Sequence, residues 1–211
     1  MLKLLKKLLE SLIRNVGGPI GVKIRYVYYK NQFKACGTNV VIEEGVFFEN
    51  LKSISLGSNI WIDKNTILIA GPFNPNNRKY FQKGDCHIKW GELIISDAVH
   101  IAPFSVIQAH GGVKIGKNVT IASGSKIYSL SHHYKNLNDL EDQKRYSFST
   151  MAKTEDQFMI IGNVVIGDAA AIGLNSVILP GVQVPNGTWI GVMSTISGKN
   201  ELTPNSVYQS K

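Results

Sequence analysis

The sequence predicts an all-β fold, a parallel β-helix preceded by a short amphipathic α-helix and interrupted by projecting loops. Three observations carry this: aliphatic side chains recur every six residues, a small or β-branched residue stands two places before nearly all of them, and Asn or Gly follows three places after several of them. An α-helix repeats at about 3.6 residues and a flat strand at about 2, so neither explains a period of six.

The aliphatic column is complete. Ile or Val occupies positions 95, 101, 107, 115, 121, 127, 166, 172, 178, 184, 190 and 196. The chain holds 57 Ile, Leu and Val residues among 211, so agreement at every position by chance is roughly one in ten million. The column before it reads Val99, Ser105, Val119, Ser125, Ala170, Ser176, Val182, Thr188 and Ser194, sizes that suit a second inward position with little space. The third column, Asn118, Gly124, Asn175, Gly181 and Gly187, holds the residue types that tolerate positive φ at a tight corner. Each unit is therefore a strand and a corner. Three units make a coil, and coils stack about 4.8 Å apart. LGSNIW at 56–61 and IDKNTI at 62–67 extend the pattern backwards, with a less regular first coil from Ile42.

The ends are different. Leu2, Leu5, Leu8, Leu9, Leu12 and Ile13 recur at helical spacing, with Lys3, Lys6, Lys7, Glu10 and Arg14 on the opposite side, which predicts an amphipathic helix over 1–16. Its apolar stripe is expected to pack on the protein, on a sister subunit, or on an anionic membrane surface. Charges interrupt its apolar run, so it lacks the core of a secretory signal, and it is too short to span a bilayer. A connecting segment is expected over 17–41, the β-helical catalytic domain over 42–199, and a tail over 200–211.

Composition narrows the function. With 44% hydrophobic and 18% charged residues the chain is neither disordered nor a collagen-like fibre. A net charge of +8 suits an anionic ligand, an acidic membrane or nucleic acid, but no zinc-finger or RNA-binding signature accompanies it, and nucleic acid is not an expected partner. Cys36 and Cys86 sit in no metal-ligand spacing, so a reduced, cytoplasmic protein without a metal is expected.

The repeat breaks at about 70–92, at IQAHGGVK (107–114) and at about 133–159. Such breaks must project outward, because a packed solenoid interior has no room for unpaired backbone. Counting units, Ile107 and Ile127 both begin the third face of their coils, so the segments after them leave from one edge a coil apart. His110 lies in the first and His132 and His133 lie in the second, which gathers three of the five histidines on that edge. A neutral imidazole there suits general-base work. His87 and His100 are expected to be ordinary surface residues.

The period, the inward aliphatic and the small residue before it resemble the left-handed β-helix of the hexapeptide-repeat acyltransferases over roughly Ile42 to Lys199. General strand-connection rules favour a right-handed path, so the left hand comes from the resemblance alone. The surroundings of SHHY (131–134) are similar to galactoside and maltose acetyltransferases and, more closely, to the O-acetyltransferases of bacterial O-antigen, capsule and exopolysaccharide assembly. The resemblance implies acetyl-CoA as co-substrate, a sugar hydroxyl of a cell-surface polysaccharide or its precursor as acceptor, and a homotrimer with sites between subunits. It places the catalytic base at His132, acceptor contacts at His110 and His133, and coenzyme A contacts at Leu174, Val192, Ser197, Gly198 and Lys199.

Alternatives remain at this point. N-acetylation of an amino sugar uses the same base and donor. A metal-dependent lyase like the γ-type carbonic anhydrases shares the fold, although adjacent His132 and His133 are awkward ligands for one ion. A non-catalytic scaffold would leave the histidine cluster without a task.

Overall fold

The computed structural model describes residues 2–209. Met1, Ser210 and Lys211 lie outside the described residues, as do the side chains of Leu2, Lys3 and Lys6. Strands visit three parallel faces in turn. The first face runs from Ala35–Cys36 through Ile54–Leu56, Leu93–Ile95, Val113–Ile115 and Val164–Ile166 to Gln183–Val184. The second begins at Val40–Ile42, includes His100–Ile101, Ala171–Ile172 and Trp189–Ile190, and ends at Val207–Tyr208. The third holds Phe47–Glu49, Ile67–Ile69, Val106–Gln108, Lys126–Tyr128, Val177–Ile178 and Thr195–Ile196. The result is a parallel β-helix of six coils.

The three sequence columns have the predicted places. All twelve column aliphatics from Ile95 to Ile196 are 2% exposed or less and form one continuous core. The small column is buried beside it, and its hydroxyls have work there: Ser125 and Ser176 donate to the carbonyls of Gly173 and Gly191, each at 2.8 Å. A hydroxyl at these positions ties one coil to the next while satisfying itself inside the core. Asn118, Gly124, Asn175, Gly181 and Gly187 all have positive φ, between 55° and 81°.

Three features differ from the expectation. The β-helical body starts at Ala35 and adds a last strand at Val207–Tyr208, so it is longer at both ends than 42–199. Backbone pairing with the neighbouring coil is enough to recruit these short strands, which lack the full side-chain signature. The connecting segment also contains a second helix. Helix α1 spans Leu2–Asn15, and α2 spans Gly18–Lys30 with Pro19 in its first turn, where a missing N–H costs nothing. Gly21, Arg25 and Tyr29, spaced by four, form the buried side of α2. Tyr29 meets Phe48 at 5.1 Å between ring centroids, and Phe33 meets Phe48 at the same distance, closing the open end of the first coil.

Arg25 is the pin of this cap. Fully buried, it donates from Nε to the Ile42 carbonyl at 2.7 Å and from Nη1 to the carbonyls of Ile13, Arg14 and Val16, the last turn of α1 and its exit. Gly21 is required beside it, since a Cβ there would stand 1.9 Å from the Val16 oxygen.

The third difference concerns the projecting loops, which join each other. Phe158–Ile161 pairs antiparallel with Leu130–His132 and parallel with Lys79–Gln82, giving a small external sheet. Asn163 anchors it from beneath: buried, it accepts from the Ile88 N–H at 2.7 Å and donates to the Ile88 carbonyl at 2.9 Å. In the outer loop Tyr146 donates to Asp142 at 2.7 Å and accepts from Lys79 at 2.8 Å. The hydrogen bonds from Tyr146 and Asn136, with Lys79 nearby, hold the Asp142 carboxyl well below the usual carboxylate range.

Candidate active site

Strands Val106–Gln108 and Lys126–Tyr128 pair in register, with Ile107 opposite Ile127, so the segments that follow leave the same edge of the prism one coil apart. His110 and His132 consequently line one cavity of about 200 Å³. Met159 of the external sheet and Gln157 just before it form its outer wall, and Gln108, Arg78, Ser131 and Thr150 add polar lining.

His132 ends its strand opposite Met159, and its ring nitrogen Nε2 is buried with no hydrogen-bond partner among the described residues. Gln108 Oε1 and Arg78 Nε are buried and unpartnered in the same way. Leaving such an atom unsatisfied costs about 1–3 kcal/mol, so most buried polar groups find partners. Three unpartnered polar atoms on residues lining one small cavity mark it as built for a polar guest.

His110 has a fixed tautomer. Its Nδ1 lies 2.8 Å from the Gly71 carbonyl, which only accepts, so Nδ1 carries the hydrogen and Nε2 is the accepting nitrogen of the neutral ring. Gly71 belongs to the 70–92 insertion, so this loop orients the histidine as well as walling the cavity. Gln157, 1% exposed, is held through Nε2 by the Ala152 carbonyl at 2.6 Å.

The other histidines lie elsewhere. His133 is absent from the cavity lining; its Nδ1 accepts from the Lys135 N–H at 3.2 Å and lies 2.9 Å from the Lys135 carbonyl, and its ring leans on Tyr134 at 4.9 Å. His100 sits on the second face, stacked on Trp61 at 5.3 Å and 3.4 Å from Asp63. His87 lines a separate cleft with Asn163 and Gln183. Among the described residues no group of three or more His, Cys, Asp and Glu side chains is placed to hold a metal ion.

The five residues expected to touch coenzyme A fall on two edges. Leu174 and Val192 lie at the corner between the second and third faces, 48% and 50% exposed. Met193 beside them is 76% exposed, donates its N–H to the Leu174 carbonyl at 2.7 Å, and holds φ at 55° without being Asn or Gly. Ser197, Gly198 and Lys199 lie across the third face, on the edge that two coils earlier carries His132. There Lys83, from the 70–92 insertion, lies so close that a Cβ at Gly198 would stand 2.6 Å from its Cε. Burial and the Lys199 charge both lower the Lys83 pKa, and neither lysine has an ion pair with a described residue.

Sequence reasoning missed Arg78, Gln108, Gln157 and Met159. Their signal was weak: each lies in or beside an interruption of the repeat, and Arg78, Gln157 and Met159 reach His132 through the pairing of the two loops, while Gln108 ends the third-face strand before His110.

No family model matches the chain. A dTDP-4-amino-4,6-dideoxy-D-glucose acyltransferase from Escherichia coli is 29% identical over 164 residues, covering 78% of this chain and 72% of its own. Among solved structures, a variant of AntD, an N-acyltransferase from Bacillus cereus in complex with dTDP and coenzyme A, superposes with a TM-score of 0.68 at 21% identity, covering 88% of this chain and 84% of its own. A maltose O-acetyltransferase from Clostridium difficile 630 superposes with a TM-score of 0.53 at 19% identity, covering 97% and 79%. The six-residue repeat, the coils it builds and these relatives agree: the chain has the β-helical fold of these acyltransferases and is similar in sequence to a sugar acyltransferase.

Proposed function

We propose that the protein transfers an acyl group, acetyl in the simplest case, from a coenzyme A thioester to the amino group of a nucleotide-linked sugar, on coils wound left-handed. The observation that carries the chemistry is the cavity shared by His110 and His132, where His132 Nε2 and Gln108 Oε1 are buried without hydrogen-bond partners among the described residues. A sugar amine is a nucleophile that brings donors. The relative that acts on a dTDP-linked amino sugar and the N-acyltransferase fold neighbour support this acceptor.

In the step itself the amine nitrogen bonds to the thioester carbonyl carbon, His132 Nε2 takes the proton that nitrogen sheds, and the C–S bond breaks. The coenzyme leaves as its thiolate and receives a proton, so charge and atoms balance. His110 Nε2 and Gln108 Oε1 orient the attacking group. His133 has no assigned part, because its ring is engaged in its own turn.

The thioester substrate fits the C-terminal coils. Leu174, Val192 and Met193 offer an exposed apolar strip for a pantetheine arm, and Lys83 and Lys199 offer uncompensated positive charge for phosphate. Two coils separate Lys199 from the His132 coil, about 10 Å. A homotrimer is part of this reading, supported by partly exposed Ile67, Ile69, Val106, Val177 and Leu179 facing outward along the flat third face.

A second reading is transfer to a sugar hydroxyl, including one on a polysaccharide precursor, and the fold likeness to the maltose O-acetyltransferase favours it. Thermal-shift titration tests the two together. Acetyl-CoA is expected to raise Tm by several degrees, the increment for ligand at about a hundredfold over its Kd. A dTDP-linked amino sugar is expected to raise Tm again, and the matched sugar lacking the amine much less. Equal shifts from both sugars favour the hydroxyl reading, and no shift with acetyl-CoA overturns both.

A further inference from the structure

Helix α1 holds the protein by its charged side and turns its leucines outward. Arg14 stacks over the Phe47 ring at 5.1 Å and lies 3.9 Å from Glu10, while the Arg14 carbonyl accepts from the Gly45 N–H at 2.9 Å. On the opposite side Leu4, Leu5, Leu8, Leu9 and Leu12 are between 50% and 73% exposed. Helix α2 repeats the arrangement: Arg25 and Tyr29 face the coils, and Ile20, Ile24 and Val27 face away. An apolar groove of about 430 Å³, lined by Ile13, Ile24, Val27 and Tyr28, joins the two ridges. A helix of a soluble protein ordinarily buries such a stripe, and an exposed apolar surface of this extent marks an interaction site.

Charge decides the occupant. Apart from Arg25, buried in the cap, residues 1–30 carry six basic side chains, Lys3, Lys6, Lys7, Arg14, Lys23 and Lys30, against the single acid Glu10. A second copy docking by the same end would set positive charge against positive charge. An anionic lipid surface neutralises it. Among the described residues no helix is long and apolar enough to cross a membrane, which leaves an in-plane arrangement.

We propose that α1 and the outer ridge of α2 lie in the plane of an anionic phospholipid surface, leucines and isoleucines among the acyl chains and lysines at the headgroups. The helices cap the first coil, and the His110 and His132 cavity belongs to the third and fourth. At about 4.8 Å per coil the cavity is held roughly 10–15 Å from the capped end. This proposal is independent of the acceptor.

The test is co-sedimentation of the full chain with vesicles of phosphatidylcholine containing phosphatidylglycerol, and with phosphatidylcholine alone, at low and high salt. The wild type is expected to pellet with the anionic vesicles and to be released by salt. Leu5→Gln, Leu9→Gln and Leu12→Gln together remove apolar side chains that are half or more exposed, and are expected to lower partitioning by about tenfold or more. Lys7→Glu with Lys23→Glu is expected to remove the preference for anionic lipid while light scattering gives the wild-type mass. The proposal is overturned if the wild type stays in the supernatant, if the triple variant pellets like wild type, or if the leucine substitutions reduce the mass, which assigns the ridge to contacts between copies.

Discussion

His132→Ala is expected to lower acyl transfer by about 10²–10⁴-fold, the usual range for removing a general base. The loss should fall on kcat, with the Kd for acetyl-CoA nearly unchanged, because the imidazole lines the cavity shared with His110 and the residues proposed to contact the coenzyme lie along the later coils. Steady-state rates with calorimetric titration of acetyl-CoA separate the two quantities. Circular dichroism controls for folding, since the His132 side chain makes no hydrogen bond to a described residue. His110→Ala is expected to be milder, about tenfold and mostly in the acceptor KM, the size of one lost hydrogen bond to substrate. A His132→Ala enzyme that keeps more than about a tenth of the wild-type rate contradicts the assignment.

Arg25→Ala is expected to destabilise the protein by about 3–5 kcal/mol, the cost of deleting one member of a buried charged network. Four carbonyls, those of Ile13, Arg14, Val16 and Ile42, lose a shared donor, and a cavity opens between α1, α2 and the first coil. Burial lowers the Arg25 pKa and the Glu43 and Glu44 charges oppose that effect, so the guanidinium sits in the cap with its charge answered mainly by backbone dipoles. Terminal caps protect the open end of a solenoid, so the first coil should become the earliest to exchange its amide hydrogens. Denaturant unfolding followed by hydrogen exchange checks both effects. A loss under about 1 kcal/mol would show that the cap holds without its pin.

The fold was legible because the six-residue period leaves nothing to chance at the core: every aliphatic it marked is 2% exposed or less. The corner positions were legible where they hold Asn or Gly. They were not where Ala98, Phe104, Ala169 and Met193 take positive φ, because these side chains carry no sequence signal for it. Helix α2 was illegible for a physical reason. GPIGVKIRYVYYK combines two glycines with β-branched and aromatic residues, a composition that favours strand, and only burial of Gly21, Arg25 and Tyr29 on the coils overrides it.

The shared edge of His110 and His132 followed from counting units, since register in a solenoid converts sequence spacing into spatial neighbourhood. Arg78 and Gln157 did not follow, because they depend on Lys79–Gln82 pairing with Phe158–Ile161 across some eighty residues of sequence. No local pattern encodes that pairing.

The central claim, acyl transfer from coenzyme A to a sugar amine, is tested most directly by mass analysis of products. The protein is incubated with acetyl-CoA and dTDP-4-amino-4,6-dideoxyglucose, with the matched dTDP-sugar lacking the amine as control. The expected result is one acetyl group gained by the amino sugar, stoichiometric with released coenzyme A thiol, and none on the control. Acetylation of both sugars at equal rates contradicts the amine assignment, and thiol release without acetylation of either contradicts sugar transfer itself.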